Sequence, residues 1–139
     1  EEVTVMTKGG NAQWPYKQGR VEGPKSKPST VIGEEIIPIY EYERAEGNSV
    51  IGAFVYRGDK WFPYLDGLYI FGDWTGKLFS LNINEERKWE RNALTIKNNH
   101  SIRGYLNAFG QDEEGNIYIS TQRKTGPKSK SGSIYLITS

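Results

Sequence analysis

Residues 49–83, SVIGAFVYRGDKWFPYLDGLYIFGDWTGKLFSLNI, carry the pattern that decides the fold. Residues 50–56 are apolar almost throughout, which suits a strand buried on both faces. Residues 67–72 and 77–83 are rich in aromatic and β-branched side chains, and a short turn-like segment separates them as in a hairpin. Residues 88–96 supply a fourth run of the same kind. Four consecutive antiparallel strands predict one blade of a β-propeller.

The same pattern returns later in the chain. Residues 104–110, 116–120 and 132–138 read as three more strands, again separated by turns that contain Gly. A recurrence at roughly 45 residues is typical of propeller blades, although the hairpins of an antiparallel sandwich would also share Gly turns and Tyr-Ile strands. The shared frame matches Asp66, Gly67, Tyr69, Ile70, Gly76, Leu78 and Leu81 to Glu114, Gly115, Tyr118, Ile119, Gly132, Ile134 and Leu136.

Composition limits the fold class, the partners and the kinds of site that the chain can have. The 139 residues include 16 glycines and 13% aromatic residues, and few segments have helical periodicity, which indicates an all-β protein. Eighteen basic and seventeen acidic residues leave a net charge of +1, so the overall charge does not favour a nucleic-acid partner. No apolar run reaches the roughly 18 residues that a membrane-spanning helix needs. The absence of cysteine excludes disulfides and thiolate metal sites.

Four segments resemble motifs of one known family. They are EEVTVMTKGGNAQWP (1–15), IIPIYEYERAEGNSVIGAFVYRG (36–58), PYLDGLYIFGDWTGKLFSL (63–81) and LNAFGQDEEGNIYI (106–119). In this order they are similar to the C-terminal portion of the glucose/sorbosone dehydrogenase-like β-propellers, which include the soluble quinoprotein glucose dehydrogenases and aldose sugar dehydrogenases. The resemblance implies a six-bladed parent, of which this chain would be a C-terminal fragment.

The expected fold is therefore all-β, a partial propeller of about two and a half four-stranded antiparallel blades. We expect residues 1–139 to form a single partial propeller domain. Within it, residues 1–48 would end one blade with a long loop, residues 49–96 would form a complete blade, and residues 97–139 would form an incomplete last blade.

The resemblance implies a sugar dehydrogenase as the parent protein. Such an enzyme would use pyrroloquinoline quinone (PQQ) and calcium to oxidise a sugar hydroxyl by hydride transfer, in the periplasm or outside the cell. The family's catalytic His lies upstream of the segments seen here, so we assign no catalytic residue and expect the chain alone to be inactive. The alternative is the family's non-enzymatic branch, in which the propeller is a binding module for protein or carbohydrate.

Three basic residues are the candidate cofactor contacts. In the enzymes the C-terminal blades present cations to the cofactor carboxylates, and Lys77, Arg103 and Arg57 are candidates because they lie at the ends of predicted strands. The plainer interpretation is that these are solvated charges at strand ends. His100, the only histidine, lies in a loop and is expected to be exposed.

No metal site is assigned, and a few partners are expected. The turns at Asp73 and at residues 112–116 have oxygen ligands that suit calcium, but they lack the full spacing of a calcium loop, and hairpin turns use the same residues. The expected partners are a sugar substrate for the parent and a second copy that completes the propeller, with no nucleic acid and no membrane span.

Overall fold

A computed structural model describes residues 1–58, 62–97, 102–128 and 130–137 of the chain. In these residues thirteen β-strands are present, and no helix in them is long and apolar enough to cross a membrane. The predicted fold class, all-β with a partial β-propeller of antiparallel blades, is confirmed. The chain divides into two compact units, Glu1–Glu46 and Gly47–Ser139.

The first sheet of the second unit has four strands. They are β7 (Val50–Val55), β8 (Tyr69–Asp73), β9 (Leu78–Ile83) and β10 (Trp89–Leu94). Each strand pairs antiparallel with the next one along the chain. Residues 49–83 therefore form three of the four strands of one blade.

The second sheet of this unit has three strands in the described part of the chain. They are β11 (Tyr105–Gln111), β12 (Ile117–Gln122) and β13 (Gly132–Leu136), again antiparallel and in sequence order. The first strands of the two sheets, β7 and β11, lie side by side. The two sheets are thus two neighbouring blades.

The two sheets repeat each other in register when Gly67 is placed on Gly115. Both glycines end a turn in the left-handed region, with φ of 81° and 85°, which explains why the sequence has glycine there. Five residues after them, Gly72 pairs with Leu78 and Ser120 pairs with Ile134. The predicted match of Tyr69 to Tyr118 is wrong by one residue, since Tyr69 corresponds to Ile117.

The core of this unit is centred on β8. Ile70 and Phe71 are fully buried, and Leu81 of β9 and Leu106 of β11 are buried with them. The prediction that residues 50–56 form a strand buried on both faces is wrong, because β7 is only partly buried and Val55 is 41% exposed. The physical reason is position: β8 has a paired strand on each side, whereas in the described part of the chain β7 pairs only with β8.

The first unit is built from two-residue strands. Glu2–Val3 (β1) pairs with Tyr40–Glu41 (β6), and Lys17–Gln18 (β3) pairs with Val21–Glu22 (β4), both antiparallel. Gly10–Asn11 (β2) pairs with Glu34–Glu35 (β5) in parallel. The buried apolar and aromatic side chains of this unit include Val3, Tyr16 and Tyr42. Ion pairs cross its surface, among them Lys27 with Glu35 at 2.5 Å and Arg44 with Glu1 at 3.2 Å.

Candidate functional site

The strands of the second unit give it two distinct ends. At one end, which we call the Trp74 end, the turn 73–78 lies next to residues 95–97, 102–105 and 122–132. At the other, the Arg57 end, residues 56–58 and 62–68 lie with the turns 84–88 and 111–116. Because neighbouring strands are antiparallel, successive turns along the chain alternate between these two ends.

Charge is separated between these ends. In the described residues the Trp74 end has seven basic side chains, all exposed, and its one carboxylate, Asp73, is buried. The Arg57 end has six acidic side chains and three basic ones. The basic set at the Trp74 end is Lys77, Lys97, Arg103, Arg123, Lys124, Lys128 and Lys130; the acidic set at the Arg57 end is Asp66, Glu85, Glu86, Asp112, Glu113 and Glu114.

The net charge of the whole chain conceals this polarity. This separation of charge could have been predicted from the sequence, because the basic and acidic residues lie in alternate turns of the antiparallel sheets. The sequence named Lys77 and Arg103 as candidate contacts but did not group them with the other five cations of this end.

The turn at the Trp74 end is organised by Asp73. Its carboxylate accepts hydrogen bonds from the backbone N–H of Ser49 at 2.9 Å and from the backbone N–H of Thr75 at 2.8 Å. The Thr75 hydroxyl donates a third at 2.6 Å. These loop donors occupy the carboxylate, so Asp73 holds the turn together and its charge is not presented at the surface.

An aromatic stack joins the two sheets at the same end. The rings of Trp74 and Tyr105 lie 4.0 Å apart, centroid to centroid, and 12° from parallel. The backbone N–H of Leu106 donates to the Trp74 carbonyl at 3.0 Å. Because this contact fixes the 73–78 turn against the start of β11, Lys77 and Arg103 belong to one continuous surface.

An apolar cleft runs between the two sheets. Its volume is about 640 Å³, within the range of small-molecule and peptide-side-chain pockets. Lys97 and Arg103 contribute to its lining at the Trp74 end. Most of the other lining residues are apolar, and they include Leu78, Leu94, Ile102, Ile119, Tyr135 and Leu136.

The three predicted cofactor contacts are not brought together. Lys77 and Arg103 lie at the Trp74 end, whereas Arg57 lies at the opposite end of the sheets. There Arg57 donates to the Tyr56 carbonyl and pairs with Asp66, each at 3.2 Å. One PQQ molecule cannot contact all three, so these residues do not fit that cofactor as a set.

The acidic turn at the Arg57 end is also a structural element. The Asp112 carboxylate accepts hydrogen bonds from the Asn116 side chain at 3.0 Å, from the backbone N–H groups of Glu114 and Asn116, and from the Tyr118 hydroxyl. The Asn116 side-chain amide is the largest contributor to lowering the pKa of Asp112 below its ordinary value. With its oxygens so occupied, this turn does not suit calcium, and no group of three possible metal ligands occurs in the described residues.

His100 lies outside the described residues, so its predicted exposure is not addressed. Calcium and PQQ in the parent followed from the family resemblance alone and stay untested predictions.

Comparison with known proteins corrects the functional expectation. No protein-family model matches the chain. It is 32% identical over 104 residues to the Hedgehog-interacting proteins of Homo sapiens and Mus musculus, an alignment that covers 71% of this chain. The chain spans about 15% of the length of these curated relatives. These matches overturn the identification with the glucose/sorbosone dehydrogenases and, with it, the expected quinoprotein oxidoreductase function and sugar substrate. The chain is similar to part of a protein named for a binding partner.

Proposed function

We propose that this chain is part of a propeller that binds another protein, and that the Trp74 end presents the binding surface. The observation that carries the proposal is the similarity to two proteins named for their interaction with Hedgehog. It favours the binding-module alternative over an enzyme. The partner that this name suggests is a Hedgehog protein, and an extracellular location goes with the same proposal.

Charge at the Trp74 end supports this choice of surface. Seven cations of this end are exposed and its one described carboxylate, Asp73, is buried, so the end would attract a partner that presents carboxylates. Such complementarity mainly accelerates association and selects the partner, and it weakens as salt screens the charges. The surface of the partner is therefore expected to be acidic.

The apolar features at the same end add the second component of an interface. Protein interfaces combine a well-packed apolar or aromatic centre with a polar rim. Here Lys97 and Arg103 line the cleft, and Lys77 lies in the same turn as Trp74, whose ring stacks on Tyr105. An isolated cluster of lysines would offer charge without a contact area that excludes water.

The test is a binding measurement with charge-reversal variants. The 139-residue chain is immobilised and titrated with a Hedgehog signalling domain in about 50 mM and about 150 mM salt. We expect saturable binding that is weaker at the higher salt. The double variant Lys77→Glu with Arg103→Glu should bind about tenfold more weakly, since each replaced cation would then repel the partner's acids.

The matched control reverses two cations at the opposite end. Arg87→Glu with Lys88→Glu makes the same change in net charge on exposed residues of the Arg57 end and should leave the affinity unchanged. An equal loss of affinity in both double variants would contradict the assignment of the binding surface to the Trp74 end. An absence of binding at about 100 µM of the Hedgehog domain would overturn the proposed function itself.

A further inference from the structure

Most cations at the Trp74 end are not neutralised by the described part of their own chain. Ion pairs of the described residues are found in the first unit, such as Lys27 with Glu35, and at the Arg57 end, such as Lys88 with Glu86. Apart from Lys77, the basic set of the Trp74 end makes no ion pair with a described residue. These exposed cations are therefore available to carboxylates from outside the chain.

A repeated pentapeptide shows the contrast within one sequence. Gly-Pro-Lys-Ser-Lys occurs at 23–27 in the first unit and at 126–130 in the second. In the first copy Lys27 pairs with Glu35 at 2.5 Å and lies 5.8 Å from the centroid of the Tyr16 ring. Lys130 has the same place in the second copy, but it is exposed and pairs with no described carboxylate. The same lysine is thus neutralised in one unit and left uncompensated at the Trp74 end.

The Arg57 end has the complementary property. Asp66 and Glu86 are already paired with cations of the same end. Glu85, in a turn of the first sheet, is exposed and makes no ion pair with a described residue, and the same holds for Glu113 and Glu114 in a turn of the second sheet. Carboxylates from both sheets are therefore available at this end.

The two charged patches lie at opposite ends of the same strands. Every member of both sets lies between residues 66 and 130, in segments that connect strands, so neither patch is produced by a terminus of the chain. A second copy displaced along the strand direction would bring its acidic end to the basic end of the first. Such an interface joins two different surfaces, and each added copy leaves one basic and one acidic end available. Contact between two Trp74 ends would instead bring like charges together, which is unfavourable.

We propose that the chain associates head to tail with a second copy, the Trp74 end of one copy binding the Arg57 end of the next. The interaction is electrostatic, so it is reversible and weakens as salt screens the charges. It goes beyond the proposed function and does not require it. Because it uses the cations of the Trp74 end, self-association would compete with an acidic protein partner for the same surface.

The first test is sedimentation velocity of the 139-residue chain. The chain is measured from about 10 to about 300 µM, in about 20 mM and about 300 mM salt. At low salt we expect the average sedimentation coefficient to rise with concentration beyond the value of a dimer, because head-to-tail association does not close. At high salt the chain should sediment as a monomer over the same range.

Two charge-reversal variants distinguish head-to-tail association from any symmetric contact. The basic-end variant is Lys97→Glu with Lys124→Glu, and the acidic-end variant is Glu85→Lys with Glu113→Lys; each pair takes one exposed residue from each blade. Either variant alone should self-associate about tenfold more weakly. An equimolar mixture should form a dimer that does not grow further, since the intact acidic end of the first variant binds the intact basic end of the second.

The matched control reverses two exposed cations of the first unit. Lys8→Glu with Lys25→Glu changes the net charge as the basic-end variant does, and Lys25 lies in the first copy of the repeated pentapeptide. This variant should self-associate like the unmodified chain. Circular dichroism confirms that each variant is folded.

Three results would overturn the inference. The first is a chain that stays monomeric at about 300 µM in low salt. The second is a mixture of the basic-end and acidic-end variants that sediments as the sum of the two measured separately. The third is an association that the first-unit control weakens as much as the basic-end variant does. None of these outcomes bears on binding of the Hedgehog domain, which is measured separately.

Discussion

At the scale of single residues, acidic side chains in the turns of the second unit act as structural hydrogen-bond acceptors. Asp73 ends β8 and Asp112 follows β11, and each accepts hydrogen bonds from several backbone N–H groups at its end of the sheets. At Asp112 these hydrogen bonds favour the ionised carboxylate and lower its pKa, so its contribution to stability depends on pH.

Asp112 is the residue for which we predict a dependence of stability on pH. Its pKa is lowered in the folded chain, so its stabilising contribution is complete above the unfolded value, about 4, and is lost as the pH falls through the folded value. Asp112→Asn should lower the urea midpoint at pH 7 and should reduce the loss of stability between pH 5 and pH 3. Urea unfolding followed by tryptophan fluorescence at several pH values measures both effects.

Glu113 is the control for this experiment. It is exposed in the same turn and its side chain makes no hydrogen bond within the described residues. Glu113→Gln makes the same chemical change and should leave the acid-dependent loss of stability as in the unmodified chain. If the two variants lose stability in parallel, Asp112 is not the group responsible.

At the scale of strands, the close packing of the two sheets depends on a glycine, which has no side chain. Gly72 lies in β8, and a Cβ at this position would be 2.8 Å from the Leu106 methyl Cδ1 and 2.8 Å from the Lys77 carbonyl oxygen. The second contact is with backbone, which cannot move aside as a side-chain tip can. The glycine thus allows β8 to pass close to β11.

Replacement of Gly72 by alanine should therefore destabilise the second unit. We expect a loss of about 1–3 kcal/mol in the free energy of unfolding, the usual cost of overpacking. Gly110→Ala is the matched change, since a Cβ at Gly110 meets no atom within 4 Å. It should be neutral or slightly stabilising, because alanine reduces the entropy of the unfolded chain. Thermal and urea unfolding would contradict the packing argument if both variants were equally stable.

At the scale of the whole chain, the two ends of the second unit have different chemical characters although the net charge is only +1. The basic Trp74 end faces away from the acidic Arg57 end, and the predicted cofactor contacts are divided between them. The proposed binding surface depends on this division, because Lys77 and Arg103 do not converge with Arg57 on one cofactor.

The chain alone should not oxidise sugars. In the presence of PQQ, calcium and an aldose, we expect no reduction of an artificial dye above the rate without protein, because the predicted cofactor cations do not converge. Spectrophotometric dye reduction measures this, with an active quinoprotein dehydrogenase as the positive control. Dye reduction that depends on the chain, the quinone and the sugar would contradict the expectation.

The sequence by itself determined the strands and their order. The repeat of Gly67 at Gly115, with apolar runs after each, is enough to predict two similar hairpins, because turns that need positive φ select glycine and strands select β-branched and aromatic residues. It did not fix the residue-by-residue match, since Tyr69 corresponds to Ile117 and not to Tyr118. The motifs also indicated a propeller family. They did not separate its enzymes from its binding proteins, since strand and turn motifs report packing, whereas function depends on side chains at the sheet ends.

Only the tertiary structure decided which charges act together and which strands are covered. Lys77 and Arg103 are 26 positions apart and share one end, while Arg57, 20 positions before Lys77, lies at the other. Ile134 and Leu78 have a similar pattern around them, yet Leu78 is buried and Ile134 is exposed, because Leu78 packs against Ile102, Leu106 and Ile119 of the neighbouring blade. Both properties arise from contacts between distant segments, which local sequence preferences do not contain.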